Sequence, residues 1–169
     1  MRTVALFVAV LFLLASAHAF AAEVEKGART PGFDLKDQFG KQWKLDDLAG
    51  KVTILVAADS KSGRAMGPWV DGLKAKYANK VCVLGLLDLH SVPGIGRGFA
   101  KARIKRETKD PMMLDFNGAI SRTYKVTSKV PTVVVIDKGL VAREVVSAAH
   151  SQKLFQTITS AVDKALEAK

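Results

Sequence analysis

The 169-residue chain carries a single thiol, Cys82, so thiol chemistry has one place to start. One cysteine excludes an intramolecular disulfide, a dithiol redox pair and any multi-cysteine zinc or iron–sulfur site within the chain. Cys82 lies inside the apolar run Val81-Cys-Val-Leu-Gly-Leu-Leu87. A thiol there is expected to be buried and inert, because a reactive thiolate needs a loop or helix end with positive neighbours. The histidines beyond residue 22, His90 and His150, fall in loops without a local motif. Gly94-Ile-Gly-Arg-Gly98 follows a strand and precedes a helix, but it has neither the dinucleotide nor the P-loop spacing. It reads as a variable loop, and neither a cofactor nor a metal is expected. The densest charge is the run Arg97, Lys101, Arg103, Lys105, Arg106 and Lys109. Such a run is ordinarily a solvated helix face. The sharper reading is a patch for an anionic envelope component such as lipopolysaccharide, anionic lipid or an acidic protein. No aromatic residues interleave it as strand binding would require, so nucleic acid is not an expected partner.

These residues belong to a chain with 26 Lys+Arg against 16 Asp+Glu, a net charge of +10, and ordinary globular proportions of hydrophobic (49%) and charged (25%) residues. The length suits one domain with a real core. Residues 1–22 read Met1-Arg2, an apolar run from Val4 to Ala15, then Ser16-Ala17-His18-Ala19-Phe20-Ala21-Ala22. A basic start, a short apolar stretch and an Ala-x-Ala site make a secretory signal peptide, with cleavage after Ala19 or Ala21. The run is too short to span a bilayer, and no lipoprotein cysteine follows it. The expected product, a single domain over 23–169, is basic and exported: periplasmic in a Gram-negative cell, otherwise secreted. No transmembrane segment is expected after cleavage. An exported small domain commonly uses disulfides, and this one must rely on packing.

The elements follow from periodicity. Phe33/Leu35 and Trp43/Leu45 alternate with polar neighbours around Gln38-Phe39-Gly40, predicting a hairpin. Val52–Ala57, Val81–Leu87 and Thr132–Ile136 are continuous apolar runs, as in strands buried on both faces. Trp69, Val70, Leu73 and Tyr77 have helical spacing, as do Leu154, Phe155, Ile158, Ala161, Val162, Ala165 and Leu166, with Ser151 as N-cap of the last helix. A helix over 95–107, a short strand over 111–115, a short helix over 119–124 and a strand over 141–146 complete the pattern. Alternating strands and helices with a closing hairpin and helix give a layered α/β fold with a mixed sheet.

Two stretches carry a resemblance. Pro111–Val126 followed by Val130-Pro-Thr-Val-Val-Val-Ile-Asp-Lys-Gly-Leu-Val141 resembles the C-terminal half of thioredoxin-like redoxins of the peroxiredoxin and TlpA branches. Pro31-Gly-Phe-Asp-Leu, Gly40-Lys and Leu45–Lys51 resemble their N-terminal hairpin and first core strand. The resemblance implies a thioredoxin-like three-layer sandwich with an N-terminal β-hairpin extension. Leu89–Phe99 is also similar to periplasmic thioredoxin-fold proteins of the YtfJ type, which lack the CxxC dithiol. The resemblance further implies a cis peptide before Pro131, facing the active site. A trans proline that simply opens a strand is the alternative.

Family redox cysteines occupy the loop after the first core strand. Counted without gaps, those positions read Ser62-Gly63-Arg64-Ala65, preceded by Lys61, and the proton-relaying acid falls on Val56. The helix after this loop starts either near Ser62 or at Pro68, a residue favoured in the first turn. With sulfur, aromatic and acid all missing, the expected function is a redox-inactive binding or accessory module. Its groove would lie beside Pro131, formed by Lys61, Ser62, Gly63, Arg64, Val130 and Pro131, and would take a protein or peptide. The alternative is a redoxin-type oxidoreductase or peroxidase acting through Cys82, or a thiol-binding activity through Ser62. Ser62 is otherwise an ordinary turn or N-cap residue.

Overall fold

The computed structural model describes residues 23–168, so the expected signal peptide and its cleavage site lie outside the described residues. An antiparallel hairpin, β1 (Asp34–Lys36) and β2 (Gln42–Lys44), leads into a 3-10 turn at Leu45–Leu48. The hairpin is as expected, except that Leu45 opens the turn instead of extending the strand. Leu45 and Leu48 thereby point together into the core.

The apolar runs form the middle of a five-stranded mixed sheet of order β5-β4-β3-β6-β7. Its strands are β3 (Thr53–Asp59), β4 (Cys82–Asp88), β5 (Met112–Asp115), β6 (Thr132–Ile136) and β7 (Ala142–Ser147). β3, β4 and β5 are parallel, while β6 and β7 run antiparallel to their neighbours. Helices on both faces require such central strands to be apolar throughout, and β3 and β6 are buried almost end to end.

On one face pack α1 (Gly67–Tyr77), through Trp69, Leu73 and Tyr77, and α4 (Gln152–Glu167), through Ile158, Val162 and Ala165. At about 1.5–3 kcal/mol for each fully buried large side chain, this layer is a principal source of stability in a chain with no disulfide. Ser151 caps α4 as expected, its hydroxyl accepting from the Leu154 N–H. The hairpin, Tyr124 and the short α3 (Ala119–Thr123) cover the other face. Tyr124 donates its hydroxyl to the Pro31 carbonyl at 2.6 Å, tying this layer to the N-terminal segment. α2 (Arg97–Glu107) begins after a 3-10 turn at Gly94–Gly96 and joins the sheet through Ile104, which packs with Leu89 and Leu114.

One expectation is corrected. The described residues contain no cis peptide bond, so the Val130–Pro131 bond is trans. Pro131 is buried immediately before β6, and its carbonyl accepts from the Ala148 N–H at 3.0 Å. It opens a strand at a position where a proline needs no N–H of its own, and trans is the ordinary state of such a bond.

Candidate functional site

Each parallel strand ends on an aspartate that shapes the loop following it. Asp59, Asp88 and Asp115 stand in register across β3, β4 and β5. Asp59 Oδ1 accepts from the Lys61 and Ser62 amides at 2.9 and 2.8 Å. Asp88 Oδ1 accepts from the His90 amide and faces His90 Nδ1, both at 2.9 Å. Asp115, with no exposure, accepts from the amides of Gly118 and Ser121 and from the Ser121 hydroxyl. Aspartates turn a chain in this way because a short carboxylate reaches amides two or three residues ahead. Sequence reasoning missed them, although the signal was there: each apolar run closes on a single Asp. Among the described residues, no group of His, Cys, Asp and Glu is placed to hold a metal ion.

The loop after β3 is where family sulfurs would lie. Both expected helix starts contain part of the answer. A 3-10 turn at Gly63–Met66 follows Ser62, and α1 proper begins at Gly67 with Pro68 in its first turn. Ser62 is only 5% exposed. Its hydroxyl does not cap the turn but points back, 2.8 Å from Asp59 Oδ1 and 3.2 Å from the Thr127 carbonyl, and accepts from the Asp59 amide at 3.2 Å. A hydroxyl has one proton, and the shorter contact to a charged acceptor takes it. The hydroxyl is therefore a structural part of the β3 loop, packed 3.2 Å from the Thr127 carbonyl with no proton between the two oxygens. The one carboxylate hydrogen-bonded to Ser62, that of Asp59, already accepts from the Lys61 and Ser62 amides, and among the described residues no histidine is hydrogen-bonded to the hydroxyl for nucleophilic work.

Cys82 is remote from this loop. It opens β4 opposite Thr53, while the loop follows Asp59 at the other end of the same strand pair. That is the length of a seven-residue strand, about 20 Å at roughly 3.3 Å per residue. The thiol is half-buried, and its pKa is raised by desolvation, an effect that Lys51, Lys41 and Thr53 only partly offset. A raised pKa lowers the fraction of the thiolate on which redox or peroxidatic attack depends.

The residues of the expected Pro131 groove differ in exposure, although Ser62 lies 3.2 Å from the Thr127 carbonyl beside that segment. Ser62 and Pro131 are buried, Lys61 is exposed and Val130 is partly buried. Gly63 and Arg64 open instead onto a groove of about 810 Å³ between the start of α1 and α2. Its floor is the sheet face at Val83, Gly85, Leu87 and Met112, and its far wall carries Arg103 and Arg106 from the basic run. The structure thus brings together parts of two sites that the sequence kept apart. The rest of the basic run is dispersed. Arg97 donates to the Phe116 carbonyl and lies 5.2 Å from that ring, while Lys105 lies 5.7 Å from the Phe39 ring. Neither these two nor Lys101 and Lys109 line the groove. A second depression of about 880 Å³, between β7 and α4, contains none of the expected site residues.

Arg103 and Glu107 form an ion pair along α2, with Nε to Oε1 at 2.7 Å. The Glu107 carboxyl is held below its usual pKa, first by the hydrogen bond from Arg103 and further by the charges of Arg103, Arg64 and Arg106. Arg64, Arg103 and Arg106 all line the groove with this carboxylate, and only Arg103 is in direct contact with it. Phe99, 80% exposed, adds an apolar lip.

Comparison with known proteins places this architecture. No family model matches the chain. It is 30% identical over 126 residues to the thiol-disulfide oxidoreductase ResA of Bacillus thuringiensis subsp. konkukian, a match covering 73% of this chain and 70% of the relative. The crystal structure of a putative thiol:disulfide interchange protein DsbE from Chlorobium tepidum matches with a TM-score of 0.66 at 24% identity, over 85% of this chain and 99% of that one. The pneumococcal exposed lipoprotein thioredoxin Etrx1 of Streptococcus pneumoniae matches with a TM-score of 0.60 at 25% identity, over 76% and 98%.

Proposed function

The chain belongs to the thioredoxin-like thiol–disulfide oxidoreductases, and we propose that within this family it is an exported, redox-inactive binding module whose site is the groove between α1 and α2. The observation that carries this reading is the single cysteine, which leaves no CxxC pair; an ungapped count puts Ser62 and Ala65 at the family's two cysteine positions, and the Ser62 hydroxyl is held by Asp59. A dithiol exchanger needs one thiolate to attack and a second thiol to resolve the mixed disulfide. This chain has one thiol, desolvated and about a strand's length from the loop. The apolar-floored groove beside that loop is the feature a binding module would use. Export rests on the signal-peptide pattern of residues 1–22, and periplasmic or secreted placement follows from it. Among the described residues no helix is long and apolar enough to cross a membrane.

Restoring sulfur tests the reading. Wild type should fail to accelerate insulin reduction by dithiothreitol, and Ser62→Cys/Ala65→Cys should gain that activity. The Ala65 amide already donates to the Ser62 carbonyl at 2.9 Å, so both new side chains would lie on one turn. Cys82 should react slowly with a maleimide in the native protein and stoichiometrically in guanidinium. Wild-type insulin reduction that disappears in Cys82→Ser would overturn the proposal.

A further inference from the structure

The chemistry of the groove points to one class of occupant. Its floor is a sheet face whose main-chain groups are committed to the β3–β4–β5 ladders. A peptide laid there would find few partners for its amides, and an unpaired buried amide is costly. A hydrocarbon chain needs none. Val83, Leu87 and Met112 supply the apolar floor, Met66 and Val70 one wall and Ile104 the other. Gly85 keeps the floor low, since a methyl there would collide with the Met112 side chain. The volume, about 810 Å³, lies within the range of pockets that enclose most of a small ligand.

Charge settles the head group. Asp110 is tied to Lys74, and Glu107 to Arg103. No ion pair engages Arg64, Arg106 or Asp71 among the described residues. Asp71 lines the groove from α1, Arg64 from the turn before α1 and Arg106 from α2. A carboxylate between those two guanidinium groups would gain charge-assisted hydrogen bonds in the planar geometry that arginine favours.

We infer that the groove binds a single-chain amphiphile with a carboxylate head, the chain lying over Val83, Leu87 and Met112 and the head between Arg64 and Arg106. This inference rests on the groove being the binding site of a redox-inactive module. It goes further in naming the ligand class.

The test uses octanoate, decanoate, dodecanoate and dodecanol, each below its micelle concentration, titrated calorimetrically into the protein. Dodecanoate should bind 1:1, with affinity rising up to about fourfold per added methylene. Dodecanol should bind at least tenfold more weakly. Arg64→Gln/Arg106→Gln, at two exposed positions, should remove the difference between acid and alcohol without changing the melting temperature. Amide resonances of Gly85, Leu87 and Met112 should shift on titration. Absence of saturable dodecanoate binding at 1 mM, equal binding of acid and alcohol to wild type, resonance shifts confined to other regions, or tighter binding of an acidic apolar peptide at the same residues would each overturn the assignment. The insulin assay on the same samples separates the two levels. Insulin reduction by wild type would remove the module reading itself, whereas inactivity without dodecanoate binding would remove only the ligand class.

Discussion

Replacing Ser62 with alanine distinguishes a structural hydroxyl from a reactive one. The side chain is 5% exposed and its proton goes to a charged acceptor, Asp59 Oδ1, at 2.8 Å. Hydrogen bonds to charged groups contribute about 1.5–3 kcal/mol. Asp59 keeps the amides of Lys61 and Ser62 when the hydroxyl is gone, which places the loss toward the lower end. The Asp59 amide and the Thr127 carbonyl each lose a neighbour as well. Together these give roughly 2 kcal/mol, or about 4–8 °C in melting temperature for a domain of this size. Circular-dichroism melts and urea titrations of Ser62→Ala, Asp59→Ala and the double variant would measure it. The double variant should be less destabilised than the sum of the single ones, by about 1 kcal/mol, because both single variants delete the same bond. Since Ser62 does not line the groove, ligand affinity there should be unchanged. A melting temperature within about 1 °C of wild type, or additive losses, would refute the hydroxyl's structural role.

Two further outcomes are expected. Burial pushes the Asp137 carboxyl up, but hydrogen bonds from the Val141 and Gly139 amides and from Arg143 outweigh it and hold the pKa below the ordinary 3.8. A carboxyl depressed on folding stabilises the protein above its unfolded value and loses that contribution as pH falls through the folded value. Urea midpoints measured from pH 6 down to pH 2.5 should therefore fall at the acid end, and Asp137→Asn should be less stable at neutral pH with a shallower acid limb; an equally steep limb would count against this pairing. Ser151→Ala should cost about 0.5–1 kcal/mol by urea titration, because the hydroxyl caps α4 from an exposed position at 3.4 Å, and a neutral result would mean solvent replaces it.

The strands and long helices were legible because burial imposes its own period. Val133, Val134 and Val135 leave no reading but a strand covered on both faces, and the stripe from Leu154 to Leu166 can only face a core. Boundaries that depend on single hydrogen bonds were less legible: β2 stops at Lys44 and α2 starts at Arg97, because local 3-10 turns replace the adjoining residues. The Pro131 isomer depends on the space around one bond, which no periodicity encodes. The groove was half visible. Arg64, Arg103 and Arg106 were singled out as charges, but the sequence holds α1 and α2 some thirty residues apart, and only the β3–β4–β5 register puts them on one face. Asp59 escaped notice because its role is read from the amides ahead of it.

The aspartates that close the parallel strands have a consequence for how this fold meets its surroundings. A loop fixed by a disulfide changes shape with the reducing or oxidising state around it, since the bond can open. The β3 loop here is fixed by Asp59 through two amides and a hydroxyl, none of which exchanges electrons. Its geometry is therefore indifferent to thiol–disulfide exchange.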